Sequence, residues 1–228
     1  MKPTWESPDG TVALYHTDCL TLDWEAMGGF HALITDAPYG IAFKSHGQWF
    51  KGDTPIAGDA TTDAALAVLD MAAGTPTACF FSPYKPLPIK WRSVLVWSKG
   101  KDTGIGGDRE TCWLRDLEMI GIRDNKPLNG KRDSSLLTQF PARRGKSTKH
   151  PAEKPVPLMR YLVEKLTQPG ETVFDAFMGT GATGEAAIQA GRRFVGCEIK
   201  RQWFNDAVAR CKRALAESAA QLPFENAP

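Results

Sequence analysis

Two short stretches carry residue types and spacings that can do chemistry. Gly179-Thr180-Gly181-Ala182-Thr183-Gly184 has G-x-G-x-x-G spacing, and Glu198 follows 19 residues after Gly179. Glycines let a backbone approach a ligand closely, and a carboxylate at the end of the following strand accepts hydrogen bonds from ribose hydroxyls. The pattern points to a nucleotide-like ligand, against the plainer alternative of a tight turn with Glu198 as a surface charge. The second stretch is Asp36-Ala37-Pro38-Tyr39. A carboxylate, a proline-fixed turn and an aromatic ring suit a flat, amino-bearing base. Asp36 can accept from an exocyclic amine, the Ala37 carbonyl can accept a second bond, and Tyr39 can stack on the ring. A simple β-turn with a buried tyrosine is the alternative here.

Both stretches need elements that hold them. Leu158, Leu162 and Leu166 recur every four residues beside Met159 and Val163, which predicts a helix over about 156–167, stopped by Gln168-Pro169-Gly170. Thr172 to Ala176 reads as a short buried strand, the glycine turn follows, and an alanine-rich helix over about 182–190 is closed by Gly191. Residues 192–198 read as a further strand and about 200–218 as a last helix, burying Phe204, Ala207, Val208, Cys211 and Leu215. Strand, glycine turn, helix, strand is a βαβ unit, so the fold class is α/β with a parallel sheet. Upstream, residues 31–36, 77–82 and 93–97 are apolar runs bounded by breakers, with a helix over about 62–73 and a weaker strand at 12–15. Between about 100 and 149 the pattern degrades, and a loop-rich insertion is expected.

The order of these units narrows the ligand. A dinucleotide-binding fold places its glycine fingerprint first and the rest of its sheet afterwards. Here 30 residues follow Glu198, enough for one helix, so the remaining strands must come from upstream. That circular rearrangement counts against NAD. S-adenosylmethionine needs the same glycine turn and ribose acid but carries no pyrophosphate.

The two motifs carry a resemblance. Asp36-Ala37-Pro38-Tyr39 is similar to the D-P-P-Y signature of amino-group DNA methyltransferases. Asp175-Ala176-Phe177-Met178-Gly179-Thr180-Gly181 resembles their D-P-F-x-G-x-G cofactor motif, and His150-Pro151-Ala152-Glu153-Lys154-Pro155 resembles the H-P-x-x-K-P segment before it. The motif order is that of the β-class of this family. The resemblance is dense over 150–213 and about 14–40 and thin over 100–149. It implies a Rossmann-like S-adenosylmethionine-dependent methyltransferase fold, with a mostly parallel seven-stranded sheet flanked by helices and a circularly permuted motif order. It further implies a single catalytic domain over 1–228, of a size common among phage and prophage enzymes, with restriction-modification as a setting.

The resemblance also implies roles. Asp36, the Ala37 carbonyl, Pro38 and Tyr39 would form the catalytic turn that holds the target amine. Phe177, Gly179, Thr180, Gly181 and Thr183 would line the cofactor, Asp175 would meet its amino or carboxyl end, and Glu198 its ribose. Asp18 resembles the acid that reads the cofactor adenine, Cys19 beside it would also belong to the cofactor site, and His150 and Lys154 would support the methionine moiety. Ala37 and Ala176 stand where the family usually has proline; the carbonyl needed at each place is kept, but the turns lose rigidity.

The chemistry so implied is in-line transfer of a methyl group to an exocyclic amine, with no covalent enzyme–base intermediate and with base flipping. Adenine N6 is favoured because the turn begins with Asp, whereas Ser there more often accompanies N4-cytosine. An N4-cytosine enzyme of the same architecture, a NAD-dependent oxidoreductase using the glycine turn and a catalytically silent DNA-binding relative stay open as other readings.

Composition constrains the rest. The chain has 228 residues and a formal net charge of +2, which alone argues against a nucleic-acid partner. Residues 123–149, however, hold eight basic and two acidic residues, a net +6, leaving −4 on the other 201. A phosphate-contacting segment within a 100–149 recognition insertion is therefore expected, through Lys131, Arg132, Arg143, Arg144 and Lys146. Lys44, Trp49 and Lys51, in a stretch that interleaves basic and aromatic residues, would clamp the flipped base. The expected partners are double-stranded DNA, a homodimer and a cognate restriction endonuclease. The start of the chain lacks the apolar segment of a secretion signal, no window is apolar enough to span a membrane, and a cytoplasmic location is expected. Five cysteines without C-x-x-C spacing and four scattered histidines make reduced thiols the expectation and a metal site improbable.

Overall fold

The structure, a computed structural model, describes residues 1–24, 27–41, 59–100, 113, 115–123, 128–142 and 153–221. In chain order the strands are β1 (Trp5–Glu6), β2 (Val12–Tyr15), β3 (Ala32–Thr35), β4 (Thr77–Phe81), β5 (Ser93–Ser98), β6 (Leu117–Arg123), β7 (Leu136–Leu137), β8 (Thr172–Asp175) and β9 (Arg193–Cys197). The helices are α1 (Asp63–Met71), α2 (Val156–Leu166), α3 (Ala182–Gln189) and α4 (Arg201–Gln221), with a single 3-10 turn at Cys19–Thr21. All nine strands share one sheet in the order β1-β2-β9-β8-β3-β4-β6-β5-β7.

The five central strands β2, β9, β8, β3 and β4 run parallel, and β6 pairs antiparallel with β4 and β5. The expected Rossmann-like α/β class holds, and the seven expected strands become nine because the two-residue strands β1 and β7 extend the edges. Alternation along the central strands feeds two cores. Ala32, Ile34, Ala78, Phe80, Val173 and Phe194 face α2, α3 and α4. Leu33, Cys79, Phe174 and Val195 face α1 and Trp24. A period of two in a strand buried on both faces produces this division. No helix among the described residues is long and apolar enough to cross a membrane.

The stretch expected to be loop-rich also contributes to the sheet. Within 100–149, β6 inserts between β4 and β5. Its alternation is disguised by a glycine and a buried acid. At Gly121 a Cβ would come within 2.3 Å of the Trp91 ring, so the indole occupies the space a side chain would fill. Glu118 occupies an inward position and is 8% exposed.

The topology explains where a site belongs. From β3 the chain proceeds through α1 to β4 on one side, and from β8 through α3 to β9 on the other. The sheet therefore reverses its winding between β3 and β8, which pair directly through Ala32 with Val173 and Leu33 with Phe174. Ligands in open α/β sheets bind outside the carboxyl ends of the strands at such a reversal. The Asp36 turn leaves β3, and the glycine turn leaves β8. The circular order inferred from the sequence thus puts both motifs on either side of one crevice.

Candidate active site

The turn after β8 is braced from within. The Asp175 carboxylate accepts from the Thr35 hydroxyl at 2.8 Å, the Phe177 N–H at 3.1 Å and the Thr183 hydroxyl at 2.5 Å. These bonds tie β3, the turn and the first turn of α3 to one buried group. Burial pushes the Asp175 carboxyl up to about 6, despite the two hydroxyls and the N–H that favour its charged form. Asp175, expected at the cofactor's amino or carboxyl end, is 2% exposed, and its carboxylate braces the turn. Thr183 shares that task.

Gly181 has φ +82°, a left-handed conformation that favours glycine, and a Cβ there would also press on Ala207 of α4 at 3.0 Å. The buried Thr180 hydroxyl donates to Glu153 at 2.7 Å, and Glu153 is held in turn by Arg210 of α4 at 2.9 Å. The turn is thus presented to the crevice as backbone, its hydroxyls being engaged inside the fold. Glu198 closes the unit at the end of β9. Its two carboxylate oxygens accept the Gly179 N–H at 3.1 Å and the Lys200 N–H at 2.7 Å, and burial raises its pKa in spite of them. Each oxygen has a second lone pair for a hydroxyl donor.

Asp18 stands on the neighbouring strand end. Tyr15 and Cys197 are register partners, and the Glu198 N–H donates to the Tyr15 carbonyl at 3.0 Å. The exposed Asp18 caps the Cys19–Thr21 turn by accepting the Leu20 N–H at 3.0 Å. Cys19 itself is buried and its thiol is pushed up to about 12, mainly by burial, so it packs without reacting. Asp18, Phe177, Gly179, Gly181 and Glu198 thus stand around the adjacent ends of β2, β8 and β9.

The turn after β3 is built differently. The Asp36 carboxylate accepts the Tyr39 hydroxyl at 2.8 Å and the Lys154 ammonium at 2.5 Å. Lys154 also lies 3.1 Å from Glu118 of β6, and the Tyr39 hydroxyl lies 3.0 Å from the same Glu118 oxygen. The other Glu118 oxygen is paired with Lys99 at 2.7 Å. Ala37 and Pro38 are buried beneath the turn. Gly40 ends it, donating its N–H to Asp59 at 2.7 Å and giving its carbonyl to the Lys85 ammonium.

Four charges of alternating sign thus stand in a row: Asp36, Lys154, Glu118 and Lys99. Burial raises the Asp36 carboxyl, and Glu118 raises it further, against the pull of Lys154. Burial would raise Glu118 too, but two ammonium groups outweigh it and hold its pKa below the usual value. Burial would lower Lys154, yet the two carboxylates keep it raised and charged. Tyr39 is driven well above an ordinary phenol by burial and by the carboxylates it faces. Cys79, in the middle of β4, is pushed up to about 12 by burial first, which keeps it a neutral thiol at neutral pH.

Three positively charged residues of the expected site are described. Lys154 lies between the Asp36 and Glu118 carboxylates, over the Phe80 and Tyr39 rings at 5.1 and 5.6 Å. Lys131 and Arg132 are exposed as expected, but they lie beside Lys165 near the C-terminal end of α2, where Lys165 donates to the Lys131 carbonyl at 2.8 Å. Lys154 immediately precedes the other end of that helix. Eleven helical residues span about 16 Å, so α2 separates Lys131 and Arg132 from Lys154 by about that distance. His150, Lys44, Trp49, Lys51, Arg143, Arg144 and Lys146 lie outside the described residues.

Sequence reasoning missed Glu118 and Lys99. The available signal was an acid at an inward position of an alternating strand, in phase with Ile120 and Ile122. A buried acid at such a position needs a cation partner.

The family model for N6/N4 DNA methylases matches residues 63–209, more than half of the chain. This chain belongs to the N6/N4 DNA methylase family. The match takes in Lys99, Glu118, Lys154, the glycine turn and Glu198, and begins downstream of the Asp36 turn. Membership in this family sets the nicotinamide oxidoreductase reading aside. Among curated proteins, the chain is similar to the DNA adenine methyltransferase YhdJ of Escherichia coli K12, 31% identical over 109 residues, covering 46% of this chain and 37% of that protein. The chain spans about a third of the length of the curated relatives it matches. Its fold is similar to that of M1.HpyAVI in complex with SAM, with TM-score 0.60, 21% identity and coverage of 87% of this chain and 99% of that one. It is also similar to that of the cytosine-N4-specific PvuII DNA methyltransferase, with TM-score 0.64, 15% identity and coverage of 96% and 94%.

Proposed function

We propose that this chain transfers a methyl group from S-adenosylmethionine to the N6 amine of an adenine flipped out of double-stranded DNA. The observation that carries this reading is the pairing of the Asp36 turn and the glycine turn across the β3–β8 reversal of the sheet. Support for adenine comes from Asp36 at the head of the turn and from the likeness to a relative named as an adenine methyltransferase. The cofactor's fit rests on the backbone-lined turn and on Glu198, whose half-buried carboxylate, held by two N–H groups, suits a diol donor. When bound, S-adenosylmethionine supplies an electrophilic methyl group on a sulfonium.

The chain's own residues do the rest. Glu198 holds the ribose hydroxyls, and Asp18 stands on the adjacent strand end to meet the cofactor's adenine. Gly179 and Gly181 let the backbone lie against the cofactor without side chains between. Asp36 accepts an N–H of the target amine, and the Ala37 carbonyl accepts the other. These bonds favour a pyramidal nitrogen and direct its lone pair away from the ring, toward the methyl group. Catalysis is then positioning plus electrostatic stabilisation. Tyr39, with its hydroxyl tied to Asp36, fixes the carboxylate's orientation.

Transfer of labelled methyl from S-adenosylmethionine to duplex DNA, followed by mass spectrometry of the digested nucleosides, tests the proposal. N6-methyladenine is expected. N4-methylcytosine alone would overturn the choice of base, and absence of label in DNA would overturn the reaction.

A further inference from the structure

The alternating row at the Asp36 turn has a feature that a simple ion pair lacks. One ammonium, Lys154, is divided between two carboxylates at 2.5 and 3.1 Å. One hydroxyl proton, on Tyr39, faces the same two carboxylates at 2.8 and 3.0 Å. Glu118 is the second carboxylate in both cases, and Lys99 holds its far oxygen at 2.7 Å. The row sums to zero net charge when all four groups are ionised.

We propose that Glu118 is a positioning residue that sets how strongly Asp36 accepts the target amine, with Lys99 as its counterweight. This rests on the reading that Asp36 receives the amine. The physical reason lies in two failures that the row avoids. With Lys154 wholly its own, Asp36 would be a closed ion pair whose lone pairs are drawn to the ammonium. Without Lys154, burial would favour the protonated acid, which cannot accept in the same way. Glu118 draws part of the ammonium and part of the Tyr39 proton away from Asp36, leaving it ionised but incompletely satisfied. Lys99 limits that draw by neutralising Glu118 from the other side.

The groups facing Asp36 from each packed element can be named. They are Lys154 from the segment before α2, Glu118 from β6, Tyr39 from its own turn, Asp175 from β8 and Cys79 from β4. Lys99, after β5, acts through Glu118. Changing Glu118 or Lys99 leaves Asp175 and Cys79 in place, so their influence is common to every variant.

The net charge of the row fixes the signs. Glu118→Gln leaves it at +1, so Asp36 protonates at lower pH. Lys99→Met leaves it at −1, so the row takes up its proton at higher pH. The double variant returns it to zero. The test measures kcat for methyl transfer across pH at saturating DNA and S-adenosylmethionine. The acid limb is expected to move down by about one pH unit in Glu118→Gln and up by about one in Lys99→Met. In the double variant it returns to within a few tenths of the starting value. The plateau kcat of each single variant falls severalfold with KM for both substrates unchanged. A common loss of rate with no opposed movement of the limb, or no recovery in the double variant, overturns the proposal.

Carbon NMR of the Asp36 carboxyl in the same proteins reads the titration without turnover. Opposed shifts there, in an enzyme that leaves DNA unmethylated, would fail the proposed reaction and uphold the electrostatic role. Equal or absent shifts would fail the role whatever the reaction.

Discussion

The two turns that flank the crevice are held by opposite means. The glycine turn after β8 is braced by hydroxyls and backbone N–H groups around one buried carboxylate, with Glu198 held by two further N–H groups. The Asp36 turn after β3 is braced by charge, with two carboxylates and two ammonium groups in alternation. Hydrogen bonds from neutral donors fix shape and leave little field at the surface. A row of buried charges fixes shape less economically, because desolvating each ion is costly, but it lets the acceptor strength of one member be set by the others. The difference suits the roles proposed for them, binding on one side and receiving a reacting amine on the other.

Substitutions should separate the two. The largest effect is expected at Asp36. Asp36→Asn removes the acceptor charge and should lower the rate of methyl transfer by about 10³-fold. S-adenosylmethionine affinity by calorimetry should stay within about twofold. Equal losses in both would erase the distinction between the turns.

Next comes Lys154→Met, which leaves two buried carboxylates without their shared cation. It should cost about 3–5 kcal/mol in urea unfolding. A loss below about 1 kcal/mol would mean that water already screens the row. Glu198→Ala should do the converse of Asp36→Asn. It should weaken S-adenosylmethionine binding by about 10–100-fold, the worth of a charge-assisted hydrogen bond, while thermal stability changes little. Unaltered affinity would remove Glu198 from the cofactor site.

The smallest effect concerns the neutral brace. Asp175 has its pKa raised to about 6 by burial, above the usual 3.8. A raised carboxyl stabilises the fold when protonated, so this contribution is present in full below the unfolded value and is lost as pH rises through about 6. Relative to Asp175→Asn, the unaltered chain should gain about 1 kcal/mol between pH 7 and pH 5. Parallel stability curves for the two proteins would place the carboxylate in a wetter setting than its 2% exposure indicates.

The glycine turn was legible because its parts are close in the chain. Gly179 and Glu198 are 19 residues apart, and Asp175 and Thr183 are eight apart. The strand, turn, helix, strand pattern states their geometry locally. The place of Asp175 is equally instructive. Its place in a cofactor-like motif says that it is near the ligand, not which way the carboxylate points. That direction depends on Thr35, 140 residues away.

The charged row was not legible. Asp36 meets Lys154 across 118 residues, and Tyr39 meets Glu118 across 79. Glu118 lies in a strand whose alternation is interrupted by Gly121, itself required by the Trp91 ring. Nothing local marks Lys99 as its partner. For Lys131 and Arg132 the charge is plain in the chain, but their place beside the C-terminal end of α2 is visible only in the fold.

By itself the sequence determined the α/β class, the permuted order of the two motifs and the residues of both turns, since period, breakers and short spacings are properties of the local chain. The tertiary structure alone decided which charges face Asp36. It did so because antiparallel insertion of β6 beside β4 brings Glu118 to the crevice, and because the approach to α2 brings Lys154 there. The physical reason is range. A turn needs a few neighbouring dihedral angles, whereas a buried charge needs a partner, and the partner comes from wherever the sheet places it.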